Sequence, residues 1–148
     1  MKPVRTYTFK GVSDLNDLLP VISDTMPDDV YEAAEACVDS DNRNIYGCYH
    51  KNKLVGFCGY FYDNGKYWIS WTAVAPGYQR QGIGQNLINK VFKKLKRLKA
   101  ECVYVETYEH PDFFNAVKFY WKNEFRLCGF LNDHLRDGST VLYLKKKI

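Results

Sequence analysis

The chain has 148 residues, of which 46% are hydrophobic, 16% aromatic and 26% charged, and its formal net charge is +4. This composition excludes a disordered, collagen-like or low-complexity chain, and the length suits one domain with a single core, which we expect to span residues 1–148. There is no run of about 18 apolar residues and no apolar signal core near Met1, so we expect a cytoplasmic protein without a membrane span.

Cysteine and histidine spacing gives no sign of a metal or redox site. The five cysteines form no CxxC pair, and His50, His110 and His134 are far apart in the sequence. We therefore expect reduced thiols and no metal cofactor. The cysteines are Cys37, Cys48, Cys58, Cys102 and Cys128. A cysteine nucleophile is the weaker interpretation, because most of them lie in apolar, strand-like runs.

The first half of the chain is predicted to form a strand, two helices and three strands. Ser13-Asp14 is a predicted N-cap, and the predicted turns are Lys51-Asn52-Lys53 and Asp63-Asn64-Gly65. The predicted elements are, in order, a strand over 4–10, helices after Asp14 and Pro27, and strands over 44–50, 53–62 and 66–74. The last three strands form a predicted antiparallel meander.

The second half begins with the strongest helical pattern. From Gly82 to Lys99 the apolar period changes to about 3.6, which predicts a long helix with one buried stripe. We expect the next strand, over 102–108, to run parallel to the strand over 66–74, because a helix connects them. A helix over 113–123 and two strands around Asp137-Gly138 complete the order βααβββαβαββ, a mixed sheet with helices on it.

The segment between the strand ending at Val74 and the long helix has the composition of an anion-binding loop. Its glycines, Gly77, Gly82 and Gly84, let a phosphate approach the main chain. The first N–H groups of the helix have no acceptor within it, and the helix dipole favours negative charge there. Arg80 adds a cation. The sequence therefore predicts a phosphate-binding loop before this helix.

Two common phosphate-binding motifs do not fit this loop. Ile83-Gly84 stand where a P-loop requires Lys followed by Ser or Thr, so a P-loop NTPase is excluded. Leu87 replaces the third glycine of a dinucleotide motif, and the preceding strands form a predicted meander instead of a βαβ unit. We therefore do not expect a dinucleotide-binding fold.

The sequence resembles the GNAT acyltransferase superfamily in several segments. Residues 79–84 (QRQGIG) fit the family pattern Q/R-x-x-G-x-G/A, and residues 73–76 (AVAP) are similar to the strand ending that precedes it. Residues 116–120 (AVKFY), followed by Glu124-Phe125, resemble the second signature. Two positions depart from the family: Phe113 stands where Asn is common, and Glu124 replaces a usual Gly. Glu124 could alter the turn into Phe125, because a residue there often needs a positive φ.

The element order fits the family's fold from end to end. The resemblance implies an α/β (α+β) GNAT acyl-CoA N-acyltransferase fold, with a mixed, mostly antiparallel sheet of about seven strands and helices on both faces. It also implies that acetyl-CoA is the co-substrate, with its pyrophosphate on the glycine loop and its thioester near the main chain of Val74. The implied cofactor-binding residues are Val74, Gln79, Arg80, Gln81, Gly82, Ile83 and Gly84.

The resemblance and strand alternation also suggest two catalytic residues. By resemblance, Tyr120 lies near the thioester sulfur and hydrogen-bonds to the departing thiolate; its alternative role is that of a core aromatic. Glu106 is the candidate general base, because alternation puts it on one face of its strand with Tyr104 and Tyr108. The alternative for Glu106 is an exposed or salt-bridged carboxylate, which would leave water or Tyr62 as the base.

The expected acceptor is a primary amine of a small molecule or of a protein or peptide. By resemblance, residues 20–41 line the acceptor site, and their carboxylates, from Asp28, Asp29, Glu32 and Glu35, would suit a cation. Four aromatic residues of the central strands form a cation-attracting pocket or serve packing alone: Tyr60, Tyr62, Trp68 and Trp71. A homodimer is a further possibility that the resemblance raises.

Two other functions stay open. A non-catalytic acyl-CoA sensor would keep residues 79–84 but transfer no acyl group. A nucleic-acid-binding module would use the basic residues of 90–99, but no recognised nucleic-acid motif accompanies them, so we do not expect a nucleic-acid partner.

Overall fold

The structure is a computed structural model that describes residues 5–26, residue 32, residues 43–134 and residues 137–148. The second predicted helix, after Pro27, falls outside the described residues except at residue 32. The chain forms two compact units. The first contains Met1–Phe61 and Ser70–Lys94, and the second contains Tyr62–Ile69 and Leu95–Ile148. The prediction that residues 1–148 form one domain stays a prediction.

Seven strands form one mixed sheet in the order β1-β2-β3-β4-β5-β7-β6. β4 and β5 run parallel, as predicted, whereas the pairs β1–β2, β2–β3, β5–β7 and β6–β7 are antiparallel. This arrangement confirms the predicted mixed, mostly antiparallel sheet. The strands are β1 (Thr8–Gly11), β2 (Arg43–His50), β3 (Lys53–Asp63), β4 (Lys66–Val74), β5 (Cys102–Glu109), β6 (Arg126–Leu131) and β7 (Thr140–Lys147).

Three α-helices have both ends within the described residues: α1 (Leu19–Thr25), α2 (Ile83–Arg97) and α3 (Phe114–Lys122). A 3-10 turn over Leu15–Leu18 precedes α1, and Asp14 caps it by accepting a 3.0 Å hydrogen bond from the Asn16 N–H. The predicted first strand, over 4–10, is shorter and lies later than expected, at Thr8–Gly11.

The two predicted turns around β3 have the conformation that tight hairpins need. Lys51 and Asn52 have φ values of 51° and 64°, and Asn64 and Gly65 have values of 49° and 79°. Two consecutive left-handed residues match the right-handed twist of the strands that they join. Asn and Gly adopt this conformation at little cost, which explains why these short sequences fix the strand register.

α2 buries the predicted stripe but ends earlier than predicted. Ile83, Leu87, Val91 and Leu95 are all 2% exposed or less. Leu98 belonged to the predicted stripe, yet it is 43% exposed because the helix ends at Arg97 and the chain turns away at a left-handed Lys99. The Ala100 N–H closes the turn by donating a 3.0 Å hydrogen bond to the Leu95 carbonyl.

In the second unit, β5 alternates between a buried and an open face, as predicted. Val103, Val105 and Thr107 are 3% exposed or less, whereas Tyr104, Glu106 and Tyr108 point to the other side. α3 ends in a turn in which Glu124 has a φ of 70°. This positive φ agrees with the expectation for the turn into Phe125, where a glycine is usual in the family that the chain resembles.

Candidate functional site

The loop between β4 and α2 owes its shape to three left-handed residues. Gly77, Arg80 and Gly82 have φ values of 85°, 60° and 78°. A Cβ added at Gly77 or Gly82 would meet no atom within 4 Å, so glycine is needed there for its backbone conformation and not for space. Arg80 adopts the same conformation with a full side chain and is exposed. The loop therefore carries an open main chain with one exposed cation.

This loop leads directly into the N-terminus of α2. The first helical hydrogen bond, of 3.0 Å, runs from the Asn86 N–H to the Gly82 carbonyl. The N–H groups of Ile83 and Gly84 precede it, so the helix itself offers them no acceptor. The first turn of this 15-residue helix contains no acidic residue that would neutralise the dipole. Main-chain donors, the dipole and Arg80 together suit an anion.

Gln79 ties the loop to the end of β4. Its side-chain Nε2 donates a 2.9 Å hydrogen bond to the main-chain carbonyl of Val74. The structure thus brings together two of the predicted cofactor-binding residues. This hydrogen bond gives Gln79 a structural role in the loop, in addition to the predicted role in binding the cofactor.

Gly77 is held from two sides by side chains. Arg5 donates a 2.8 Å hydrogen bond to the Gly77 carbonyl, and Gln81 donates a second one at 3.3 Å. The Arg5 guanidinium also lies 4.6 Å from the centroid of the Tyr78 ring. These contacts fix the loop from the segment before β1.

Two further residues complete the support of this loop. The hydroxyl of Tyr7 donates a hydrogen bond to Oε1 of Gln81, and Nδ1 of His50 is hydrogen-bonded to the Tyr78 hydroxyl at 2.9 Å. The rings of Tyr7, His50 and Tyr78 also contact one another, with centroids 5.5 to 6.4 Å apart. Sequence reasoning missed these residues, because the partners are 28 to 74 positions apart and no local pattern connects them.

Glu106 lies on the open face of β5 in the second unit. Its register partner on β7 is Tyr143. Partial removal of solvent by the surrounding protein raises the pKa of the Glu106 carboxyl, and the nearby charge of His134 opposes this effect. The pKa of Tyr143 is raised as well, first by burial and then by the carboxylate of Glu106. A carboxyl with a raised pKa is a stronger base than an ordinary glutamate.

Tyr120 lies near the end of α3 and is 6% exposed. Its ring contacts those of Phe119 and Phe125 edge-on, with centroids 5.6 and 5.4 Å away. The two predicted catalytic residues thus occupy different surroundings in the second unit: Tyr120 lies among aromatic rings, and Glu106 lies beside Tyr143 and His134.

The four aromatic residues singled out on the central strands do not share one environment. Tyr60 is 3% exposed, and Trp71 packs against the core of the first unit. Tyr62 is 49% exposed and contacts Tyr67 at 4.9 Å between centroids. Trp68 contacts residues of β5 and β7 instead. The four side chains therefore differ in exposure, and their interpretation as a pocket stays a prediction.

Two of the described cysteines, Cys48 and Cys58, are buried thiols. Burial raises the pKa of the Cys48 thiol to about 11 and that of Cys58 to about 12, which keeps both protonated near neutral pH. All four described cysteines are free thiols. Among the described residues no group of three or more His, Cys, Asp or Glu side chains could hold a metal ion, and no helix is long and apolar enough to cross a membrane.

Comparison with known proteins identifies the family and supports the fold. The model of the acetyltransferase (GNAT) family matches residues 12–125. The chain therefore belongs to the GNAT acetyltransferase family. The curated proteins gave no match to the sequence.

Solved structures of GNAT proteins share the fold. A GNAT-family protein from Desulfovibrio desulfuricans is 19% identical, with a TM-score of 0.85 over 96% of this chain and 99% of that one. The ribosomal-protein-S18-alanine N-acetyltransferase from Escherichia coli is 15% identical, with a TM-score of 0.77 over 97% and 94%. The PaiA N-acetyltransferase from Thermoplasma acidophilum, solved with coenzyme A, is 15% identical, with a TM-score of 0.75 over 97% and 99%.

Proposed function

We propose that the protein is an N-acetyltransferase that moves an acetyl group from acetyl-CoA to a primary amine by direct attack. The observation that carries this proposal is the loop of residues 77–84, in which left-handed residues and the hydrogen bond from Gln79 to Val74 shape the segment that leads into the N-terminus of α2. Membership of the GNAT family supports it, as does the complex of the similar Thermoplasma protein with coenzyme A.

The pyrophosphate of acetyl-CoA would bind at this loop. The N–H groups of residues 81–84 would donate to its oxygens, and the Arg80 guanidinium would add a charge-assisted contact. Main-chain groups near Val74 would hold the acyl arm, and a main-chain N–H there would polarise the thioester carbonyl by donating a hydrogen bond to its oxygen. The Val74 carbonyl already accepts one hydrogen bond from Gln79, and a second lone pair can accept another.

Acetyl transfer then requires a neutral amine, because an ammonium ion has no lone pair for attack. An alkylammonium has a pKa near that of lysine, about 10.4, so it must lose a proton near neutral pH. We assign Glu106 as the base that accepts this proton from the ammonium group, directly or through a water molecule. The raised pKa of its carboxyl makes it a better acceptor than an ordinary glutamate.

Tyr120 is assigned to the departing thiolate. A thiol has a pKa of about 8.5 and a tyrosine about 10, so full proton transfer would be uphill by roughly 2 kcal/mol. We therefore assign a hydrogen bond from the Tyr120 hydroxyl to the developing negative charge on sulfur. The cytoplasmic location, the single domain over 1–148 and a homodimer remain part of this proposal.

The test is an acetyl-transfer assay with a panel of amines. Polyamines, aminoglycosides, amino acids and peptides are each incubated with the protein and acetyl-CoA, free thiol is measured, and the acetylated amine is identified by mass spectrometry. The proposal predicts thiol release that depends on one class of amine. Binding of acetyl-CoA without transfer to any amine would instead support the acyl-CoA sensor. Absence of both binding and transfer would contradict both functions.

A further inference from the structure

Three aromatic side chains of the second unit meet on the open face of its strands. Trp68 of β4 is the register partner of Tyr104 of β5, and their ring centroids are 5.3 Å apart. Tyr143 of β7 contacts Trp68 at 6.1 Å with the ring planes at 76°. All three are half-buried, so part of each ring faces solvent. We call Trp68, Tyr104 and Tyr143 the aromatic corner.

A carboxylate lies beside this corner. Glu106 is exposed on the same face, two residues after Tyr104, and its register partner is Tyr143. Because register partners on antiparallel strands point to the same face, the Glu106 carboxylate and the Tyr143 ring are neighbours there. Near-perpendicular ring faces next to a negative charge form an environment that attracts an organic cation, because both ring quadrupoles and the carboxylate favour positive charge.

We propose that the aromatic corner and Glu106 bind the acceptor amine in its cationic form, and that the acceptor is a small alkylammonium compound. This inference rests on the proposed function and names the substrate class of the same enzyme. The rings hold the ammonium group and its adjacent methylene groups, while Glu106 pairs with the charge and then accepts the proton that leaves before attack. After that proton moves, the amine is neutral and Glu106 is protonated, so the charges balance.

One cation of the chain already contacts this face. Lys145, opposite Tyr104, places its ammonium 5.7 Å from the centroid of that ring. The Lys145 ammonium is also hydrogen-bonded to the Tyr104 hydroxyl, so the side of the corner next to Tyr104 is already occupied by a cation. The ligand is therefore assigned to the neighbouring position, against Trp68 and Tyr143 beside Glu106. The positive charge of Lys145 disfavours ligands with a second cationic group close to the first.

The sharpest test uses two probes of the same shape that differ in charge. Choline carries a quaternary ammonium group, and 3,3-dimethylbutan-1-ol carries a neutral tert-butyl group in its place. Each is titrated into the full chain by calorimetry in the absence of acetyl-CoA. We expect choline to bind in the millimolar range, about tenfold more tightly than the neutral probe. Equal binding of the two probes, or no binding of choline, would overturn the inference.

Three variants assign the binding to this face. Trp68→Leu and Glu106→Gln are each expected to weaken choline binding about fivefold to tenfold. Trp121→Leu is the matched control, because Trp121 lies in α3 of the same unit, 54% exposed and 4.0 Å from Arg126. Circular dichroism checks that each variant is folded. If Trp68→Leu does not fold, Glu106→Gln still tests the inference, because Glu106 is exposed. Equal losses in Trp68→Leu and Trp121→Leu, or full choline affinity in Glu106→Gln, would overturn the inference.

The outcomes separate this inference from the proposed function. Choline binding needs neither acetyl-CoA nor turnover, so a protein that binds choline at this face but acetylates no amine would contradict only the proposed function. A protein that acetylates neutral or aromatic amines, and binds choline no more tightly than 3,3-dimethylbutan-1-ol, would contradict only the inference.

Discussion

The side-chain amide of Gln79 donates a 2.9 Å hydrogen bond to the main-chain carbonyl of Val74, five residues earlier. This bond joins the end of β4 to the loop that leads into α2. It therefore couples the two segments that the proposed function uses, one for the acyl arm and one for the pyrophosphate. Its removal should affect the binding of acetyl-CoA more than the chemical step.

Gln79→Leu keeps the size of the side chain and removes its donor. A single hydrogen bond contributes about 0.5–1.5 kcal/mol, so we expect the KM for acetyl-CoA to rise about twofold to tenfold, with kcat nearly unchanged. Steady-state kinetics at saturating amine measure both constants. An unchanged KM would show that this bond does not shape the cofactor loop, and a loss confined to kcat would contradict its assigned role.

Tyr120→Phe tests the hydrogen bond to the thiolate. Phenylalanine retains the ring that contacts Phe119 and Phe125, so the fold should persist while the hydroxyl is lost. We expect kcat at saturating acetyl-CoA to fall about tenfold or more, because the hydrogen bond acts on charge that develops in the transition state. Turnover equal to that of the original protein would leave Tyr120 as a core aromatic only.

Glu106→Gln should change stability in a pH-dependent way. The folded-state pKa of Glu106 is raised, so the folded protein binds this proton more tightly than the unfolded chain does. The contribution of Glu106 to the free energy of unfolding is therefore largest below the ordinary glutamate pKa of about 4.3. It is lost as pH rises through the raised value. We expect the variant to unfold at a higher urea concentration than the original protein at about pH 7, with little difference at about pH 3.

Glu109→Gln, at the exposed end of the same strand, is the control for the loss of a carboxylate. The urea midpoint of each variant is compared with that of the original protein between about pH 3 and pH 7. A Glu106→Gln variant that is less stable than the original at neutral pH would mean that Glu106 makes a stabilising contact as an anion.

Glu124→Gly should stabilise the turn after α3. A non-glycine residue at a φ of 70° is disfavoured by about 1–2 kcal/mol, and glycine relieves this strain. The variant also loses an ion pair in which Lys146 lies 3.3 Å from the carboxylate of Glu124, whose side chain is 81% exposed, and pairs at the surface contribute about 0–1 kcal/mol. We expect the free energy of unfolding to rise by about 0.5–1 kcal/mol.

Glu124→Gln isolates the charge in the same measurement, because it removes the ion pair and keeps the backbone conformation. It should show no gain in the free energy of unfolding. A gain of equal size in both variants would attribute the effect to charge instead of backbone strain.

Local patterns predicted the parts of the fold that local physics decides. The tight turns at Lys51-Asn52 and Asn64-Gly65 follow from residues that accept positive φ, and the face of α2 follows from its apolar period. The end of α2 was predicted too late, because Leu98 continues the apolar pattern but the backbone turns at Lys99. A periodic pattern cannot show where the backbone leaves the helix.

The side-chain groupings that support the candidate site depend on pairing between distant strands. Tyr7 reaches Gln81 over 74 positions, and the aromatic corner draws its three rings from β4, β5 and β7. Sequence analysis selected Trp68 for its aromatic ring and grouped it with Tyr60, Tyr62 and Trp71, but it did not identify Tyr104 and Tyr143 as its ring contacts. The correct partners follow only from the register Trp68–Tyr104 and Glu106–Tyr143.

Calorimetric titration of the protein with acetyl-CoA tests the central claim most directly, with ATP and dephospho-CoA as ligand controls. Gly82→Ala and Gly77→Ala form a matched pair, because both glycines have positive φ and open space at Cβ, but only Gly82 directly precedes α2 and accepts its first hydrogen bond. We predict micromolar binding of acetyl-CoA that ATP does not reproduce, about tenfold weaker in Gly82→Ala and much less affected in Gly77→Ala. No binding of acetyl-CoA to the unmodified chain would contradict the account.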